Sequence, residues 1–233
     1  MIPEWQNSPK RSHIEITEEL LDPLGATIID VGCGTGQITR ALTKIGARVI
    51  GIDPSTRQLE RARSEPSLGN EVYIKGTAEN LPFDNQSIDI ILFFNSFHHV
   101  PKHNYSRTLI ESHRVLRPGG KLFFAEPIAD GPQFELSKLI NDETNIRALA
   151  YECILTLPSK GFEEITELIY IAENQHKDFE SFKTNSISIN STRAEIFEKH
   201  DKELRTKFNK LSKKKQGIYT FLNPIRGNLF SRI

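Results

Sequence analysis

The residues from Asp30 to Gly36, Asp-Val-Gly-Cys-Gly-Thr-Gly, carry the clearest chemical signal in the chain. They follow a β-rich apolar run from Ala26 to Val31 and open a predicted helix at Gln37. Glycines permit a tight turn and let a ligand approach the backbone closely. The free N–H groups at the start of the next helix suit an anionic group. A dinucleotide fingerprint would need G-x-G-x-x-G/A. Counted from Gly32 the sixth position is Gln37, and counted from Gly34 it is Thr39, so neither register fits a nicotinamide cofactor.

Further groups follow in order. Gly51-Ile52-Asp53-Pro54-Ser55 ends a second predicted strand with a carboxylate 17 positions after Gly36. Gly76-Thr77-Ala78-Glu79-Asn80-Leu81-Pro82-Phe83 forms a turn after a third strand. Asn95-Ser96-Phe97-His98-His99 follows a fourth, and Arg114-Val115-Leu116-Arg117-Pro118-Gly119-Gly120 precedes a fifth. This ordered set resembles class I S-adenosylmethionine-dependent methyltransferases, in the small-molecule branch that includes ubiquinone/menaquinone-type enzymes. The resemblance covers about residues 26–126.

The resemblance implies transfer of a methyl group from S-adenosyl-L-methionine to a small-molecule acceptor by in-line displacement. It implies that Gly32, Cys33, Gly34 and Gly36 shape the loop around the methionine part of the cofactor. Asp30 would hydrogen-bond near its amino group, and Asp53 would accept from the ribose hydroxyls, as acidic residues do in nucleotide-binding βαβ units. Pro54 and Ile52 would flank the adenine, Ala78 would meet its edge, and Asn95 would lie beside the sulfonium. Position 77 is commonly Asp in this branch and is Thr77 here, so the adenine amino group would meet an uncharged hydroxyl or, in its place, Glu79. Two other readings fit the same motifs: a module that binds the cofactor without transferring methyl, and a methyltransferase acting on protein or RNA.

Four histidines, His98, His99, His103 and His113, crowd one segment. Pro101 disfavours a helix that would align His99 with His103, and no matching carboxylate motif is evident, so no metal site is expected. His98 and His99 are the candidates for a general base, because histidine titrates near neutrality. Cys33 reads as a small filler of the loop. Residues 199–215 hold eight Lys/Arg and two acids, and the reading is a solvated helix face rather than a docking surface.

The elements that must position these groups alternate. Strands are predicted over 26–31, 48–52, 71–75, 87–94 and 121–125, with helices over 37–45, 55–63 and 104–116 between them. Such alternation means a parallel sheet with helices on both faces and ligands at the carboxyl ends of the strands. Helices over 134–157 and 191–215, and strands over 162–171 and 217–222, complete the reading. The expected fold is a Rossmann-like, doubly wound, mostly parallel seven-stranded sheet in one domain: a cap segment over 1–25, a cofactor core over 26–126 and a substrate side over 127–233. Phe134, Leu139, Tyr151, Phe179 and Phe182 are the expected apolar lining of an acceptor pocket.

Composition bounds the rest. With 233 residues, 37% of them hydrophobic, the chain can bury a core without disulfides or metal. Thirty basic and thirty acidic side chains argue against broad capture of nucleic acid. Two cysteines and an amino terminus without a basic region and apolar run fit a cytoplasmic protein.

Overall fold

The computed structural model describes residues 3–233. Met1 and Ile2, part of the stretch read for a leader, lie outside the described residues. Five strands form the parallel part of one sheet: β1 (Thr27–Val31), β2 (Arg48–Asp53), β3 (Val72–Lys75), β4 (Ile88–Phe94) and β5 (Leu116–Pro127). Two long strands, β6 (Phe162–His176) and β8 (Ile218–Arg232), complete the path, and the short β7 (Lys213–Lys215) pairs with β8. The order is β3-β2-β1-β4-β5-β8-β6, with β8 antiparallel to both β5 and β6. The expected seven-stranded sheet is present, with β7 added at its margin.

The reversal of order beside β1 opens a crevice at the carboxyl ends of β1 and β4, where ligands bind in sheets of this kind. Helices α1 (His13–Leu21) and α2 (Gln37–Lys44) pack on one face, through Ile16, Leu21 and Leu42 against Ile28, Val49 and Leu92. On the other face α4 (Tyr105–Val115) and α6 (Thr144–Ile154) bring Leu109, Val115, Ala150 and Ile154 against Ile29, Ile91, Phe93 and Phe124. α3 (Thr56–Ser64) adds the buried Leu59 and Ala62. A third cluster, rich in phenylalanine, joins α5 (Gly131–Ser137), α7 (Phe179–Ile189) and α8 (Arg193–Leu211) to β8.

The carboxyl-terminal half differs from its predicted elements in five places, two of them the unpredicted α7 and a β6 that runs five residues beyond its predicted end. The predicted helix over 134–157 is two helices, α5 and α6. Between them Asp142 accepts the Thr144 N–H, a local side-chain bond that competes with helix continuation. The predicted helix over 191–215 ends at Leu211, and Lys213–Lys215 turn back through Gln216 and Gly217, both at positive φ, into β8. Positive φ at both central residues marks a type I′ hairpin. The last strand continues ten residues beyond its predicted end. Pro224 is tolerated because its carbonyl accepts from Ile128, just beyond β5, so its missing N–H falls where β5 has already ended.

α1 was not predicted. Ser12 and Glu15 form a capping box ahead of Ile14, Ile16, Leu20 and Leu21, a signature readable from the sequence. No helix among the described residues is long and apolar enough to cross a membrane.

Candidate functional site

The glycine loop joins β1 to α2, and Gly32, Gly34 and Gly36 all have positive φ. A Cβ on Gly32 would stand 2.5 Å from the Ser96 Cβ, and one on Gly36 would strike the Tyr73 hydroxyl. Gly34 has no atom within 4 Å of its Cβ position and faces open space. The loop is tied to β2 by backbone bonds from Gly32 and Cys33 to the Ile52 carbonyl.

Asp53, buried at the end of β2, accepts the Gly34 N–H at 2.9 Å with Oδ2 and the Ser55 N–H at 2.8 Å with Oδ1. The Gly76 N–H donates to the Asp53 carbonyl, which brings the turn after β3 alongside. In that turn Ala78 is buried and Thr77 is exposed. Glu79, the expected substitute for a charged residue at position 77, accepts instead from Asn104 at 2.8 Å. Pro54 is exposed beside Asp53.

Asp30 lies beneath the loop, 2% exposed, and accepts the Thr39 hydroxyl at 2.6 Å. Burial pushes its carboxyl up to about 6. Cys33 is partly buried, and burial together with the charges of Asp30 and Asp53 pushes its thiol well up. A thiol held protonated is no nucleophile.

A cavity of about 1100 Å³ opens beside the loop. Cys33, Gly34, Thr35 and Asn95 form its floor, residues 10–15 one wall, and the end of β6 with Phe182, Ser186 and Ile189 of α7 the other. Of the predicted site residues, Cys33, Gly34 and Asn95 line it; Asp30, Gly32, Gly36, Asp53, Pro54, Thr77 and Ala78 surround or support the loop outside it.

The acceptor lining needs correction. Only Phe182 of the five predicted residues lines this cavity. Phe134 is buried beneath the Arg147 guanidinium, and Phe179 packs in the third cluster with Phe197 and Phe208. Leu139 packs against that cluster too. Tyr151 stacks under Arg226, 4.0 Å away, and its hydroxyl donates to Glu167. Arg226 and Asn228 also reach Glu167, which gives the tail from Asn223 to Asn228 a structural role.

The cavity contains a histidine that the sequence reading missed. His13, first residue of α1, lies against Phe94, with Nδ1 2.6 Å from the Tyr170 hydroxyl and Nε2 3.3 Å from Asn95 Nδ2. Burial pushes its pKa down to about 4, so the ring is neutral at pH 7. Trp5 is buried and donates to Asp130 at 2.9 Å, which makes it an anchor of the amino-terminal segment.

His98 and His99 do not line the cavity. They form a 3-10 turn after β4, facing α6. The Glu126 carboxylate accepts the backbone N–H groups of Ser96, Phe97 and His98 and meets His98 Nδ1. Partial desolvation and the neighbouring His98 lower the pKa of His99, although its side chain is 55% exposed. Against the upward push of burial, His98 and Arg147 hold Glu143 below its ordinary range.

The basic segment is partly neutralised. Arg205 pairs with Asp201 and Glu180, Lys207 lies 3.6 Å from Glu203, and Lys214 lies over the Tyr219 ring.

Comparison with known proteins agrees with this geometry. The methyltransferase domain family matches residues 29–124. The phthiotriol/phenolphthiotriol dimycocerosates methyltransferase of Mycobacterium leprae is 35% identical over 130 residues, 53% of this chain and 47% of its own. The demethylmenaquinone methyltransferase of Tropheryma whipplei is 33% identical over 162 residues, 64% of this chain and 65% of its own. The chain thus spans between about half and two-thirds of the length of these relatives. The SAM-dependent methyltransferase of Methanosarcina mazei superposes with a TM-score of 0.57 at 15% identity, over 96% of this chain and 99% of that one, which is a likeness of fold. Residues 29–124 thus match the methyltransferase domain family, and the sheet built around them has the fold of the solved methyltransferase on to residue 232.

Proposed function

We propose that the chain is an S-adenosyl-L-methionine-dependent methyltransferase that methylates a small-molecule acceptor by in-line displacement. The observation that carries this reading is the hydrogen bond that joins Gly34, which lines the cavity, to Asp53 just outside it. Each Asp53 oxygen accepts one backbone N–H and keeps a second lone pair for a ribose hydroxyl. The open side of Gly34 leaves room for the methionine part of the cofactor. When bound, the cofactor supplies a methyl group on a sulfonium, which is already electrophilic.

The protein's part is then mainly positioning, which contributes about 7–11 kcal/mol in favourable cases. The loop and Asp53 fix one reactant. Asn95, held at positive φ by its N–H bond to the Ala125 carbonyl, stands where the two reactants meet. Ile14, Ile38, Phe94, Phe182 and Ile189 give the acceptor an apolar surround, and Lys10, Arg11 and Arg193 add cations at its edge. His13, a neutral imidazole on that wall, fixes the Asn95 side chain through Nε2 and is itself held by the Tyr170 hydroxyl at Nδ1. The division into a cap over 1–25, a core over 26–126 and a substrate side over 127–233 follows from this reading.

Incubation of the protein with methyl-labelled cofactor and a pool of small metabolites tests it. A labelled small molecule is the expected product. Label in protein or RNA would move the assignment to a macromolecular acceptor. Cofactor binding by calorimetry without any labelled product would leave a binding module.

A further inference from the structure

Outside the cavity, three potential metal-ligand groups converge: His98 and His99 from the turn after β4 and Glu143 at the start of α6, with one donor atom of each within 4.8 Å of the others. We propose that His98, His99 and Glu143 form a site for one borderline transition-metal dication of the Zn²⁺ or Co²⁺ class, which fastens α6 to the end of β4.

His98 carries most of the argument. Its side chain is 2% exposed, and its Nδ1 is engaged by Glu126, a carboxylate itself fixed by three backbone N–H groups. A histidine ligand to a metal commonly donates its second ring N–H to a carboxylate in this way, which fixes the tautomer and turns the other nitrogen outward as a lone pair. Nε2 of His98 is directed at Glu143 Oε2 from 3.7 Å, too far for a hydrogen bond, and has no other hydrogen-bond partner among the described residues.

His99 and Glu143 complete the set. The His99 ring lies 4.0 Å from the His98 ring, and its Nε2 is 3.9 Å from Glu143 Oε1. Glu143 is held in place by Arg147, at 2.6 Å from Oε2, and by Asn141, at 2.8 Å from Oε1. Oε1 retains a lone pair after its bond from Asn141, whereas Oε2 also accepts Arg147 Nε at 3.1 Å, so a metal at Oε2 would have to displace one Arg147 bond. Ligand atoms sharing a tetrahedral Zn²⁺ at about 2.0–2.1 Å lie about 3.3 Å apart. The two N–O gaps, each to a different Glu143 oxygen, need to close by about half an ångström, and the widest gap in the set, at most 4.8 Å, by up to about 1.5 Å. His99 is free to turn, with its side chain 55% exposed.

The charges allow a dication. With both imidazoles neutral, as metal ligands must be, Glu126 and Glu143 contribute two negative charges and Arg147 one positive, so the ligand set presented to the metal is net negative. Two imidazoles and one carboxylate favour a borderline metal over Mg²⁺ or Ca²⁺, which prefer all-oxygen sites. Three protein ligands leave the fourth position open.

Co²⁺ titration of the metal-stripped full chain tests the site without reference to cofactor or methyl transfer. Ligand-field bands saturating at one equivalent and displaced by Zn²⁺ are expected. His99→Ala and Glu143→Gln should each weaken Co²⁺ binding by roughly 100-fold or more, and Glu126→Gln by about 10–100-fold. His103→Ala, four residues along on the exposed surface, should bind as the parent does. His99 is exposed, so its variant should keep the parent circular dichroism spectrum. Absence of bands in the parent, or parent-like affinity in folded His99→Ala, would overturn the proposal.

Discussion

Asp53 accepts the backbone N–H of Gly34 at 2.9 Å, so the carboxylate at the end of the second strand also holds the loop that follows the first. Under the proposed function these two elements hold opposite ends of one cofactor, and this bond joins them directly. Asp53→Ala removes the acceptor of two backbone donors, of Gly34 and Ser55, in a buried place. Leaving them unpaired should cost about 1–3 kcal/mol of stability. Affinity for S-adenosyl-L-methionine should fall by more than tenfold in isothermal titration, and Asp53→Asn, which keeps one oxygen, should lie between. Unchanged affinity in Asp53→Ala would remove the ribose contact from the assignment.

The three loop glycines should differ in what alanine does to them. All three require positive φ, which costs an L-residue about 1–2 kcal/mol. At Gly32 the added Cβ also meets Ser96 Cβ at 2.5 Å, an atom that side-chain rotation cannot move away. At Gly36 it meets the end of the Tyr73 ring, which can swing aside. At Gly34 it meets nothing. Thermal unfolding should therefore rank Gly32→Ala as most destabilised, then Gly36→Ala, then Gly34→Ala. Gly34→Ala is the variant that should lose cofactor affinity out of proportion to stability, because its methyl group would project beside the cavity floor. A uniform loss of stability across the three would contradict the ranking.

The pH dependence of stability should show two opposed titrations. His13 has its pKa lowered to about 4 by burial, so between about pH 4 and 6.5 the unfolded chain binds more protons than the folded one. Its contribution is complete above about pH 6.5 and is lost as the pH falls, by about 3 kcal/mol at most. Asp30 has its pKa raised to about 6, again by burial, so between about pH 3.8 and 6 the folded chain binds the extra proton. Its contribution is complete at the acid end and is lost as the pH rises, by a similar amount. In the parent the two nearly cancel. Asp30→Asn should expose the His13 loss as a steep fall in urea stability below pH 6, and His13→Gln should make the protein relatively more stable at pH 4.5 than at pH 7. Parallel profiles for both variants would show that neither group titrates as assigned.

The first half of this fold is legible because each element is decided locally. Ile88 to Phe94 is an apolar run long enough for one strand covered on both faces, and the glycines at 32, 34 and 36 sit where only positive φ closes the turn. The second half is decided by distant partners. Lys213–Lys215 continue a helical pattern, yet the positive φ at Gln216 and Gly217 returns them onto β8. Pro224 looks like the end of a strand until its neighbour β5 is known to stop first. The site shows the same limit. His13 belongs with Asn95 and Tyr170 only through tertiary packing, across 82 and 157 positions. Glu143 stands 44 positions after His99, so no local carboxylate motif announces their meeting.

Glu126 should prove more important to the turn after β4 than its position at the end of β5 suggests. Its carboxylate accepts three consecutive backbone N–H groups, from Ser96 at 3.1 Å, Phe97 at 2.8 Å and His98 at 3.4 Å, and also meets His98 Nδ1. Hydrogen bonds to an ionised group contribute about 1.5–3 kcal/mol each when well formed, and these share one acceptor. Glu126→Ala should therefore lower urea stability by about 3 kcal/mol, and Glu126→Gln, which keeps one oxygen, by less. The turn begins directly after Asn95 and touches the start of the glycine loop through Ser96, whose hydroxyl donates to the Val31 carbonyl at 2.6 Å, while Asp53 anchors the loop at Gly34. Cofactor affinity in Glu126→Gln should then stay within a few-fold of the parent while kcat falls, because Asn95 shifts and the Asp53 anchor of the glycine loop does not. Equal losses in affinity and kcat would mean that the turn after β4 and the glycine loop move as one unit.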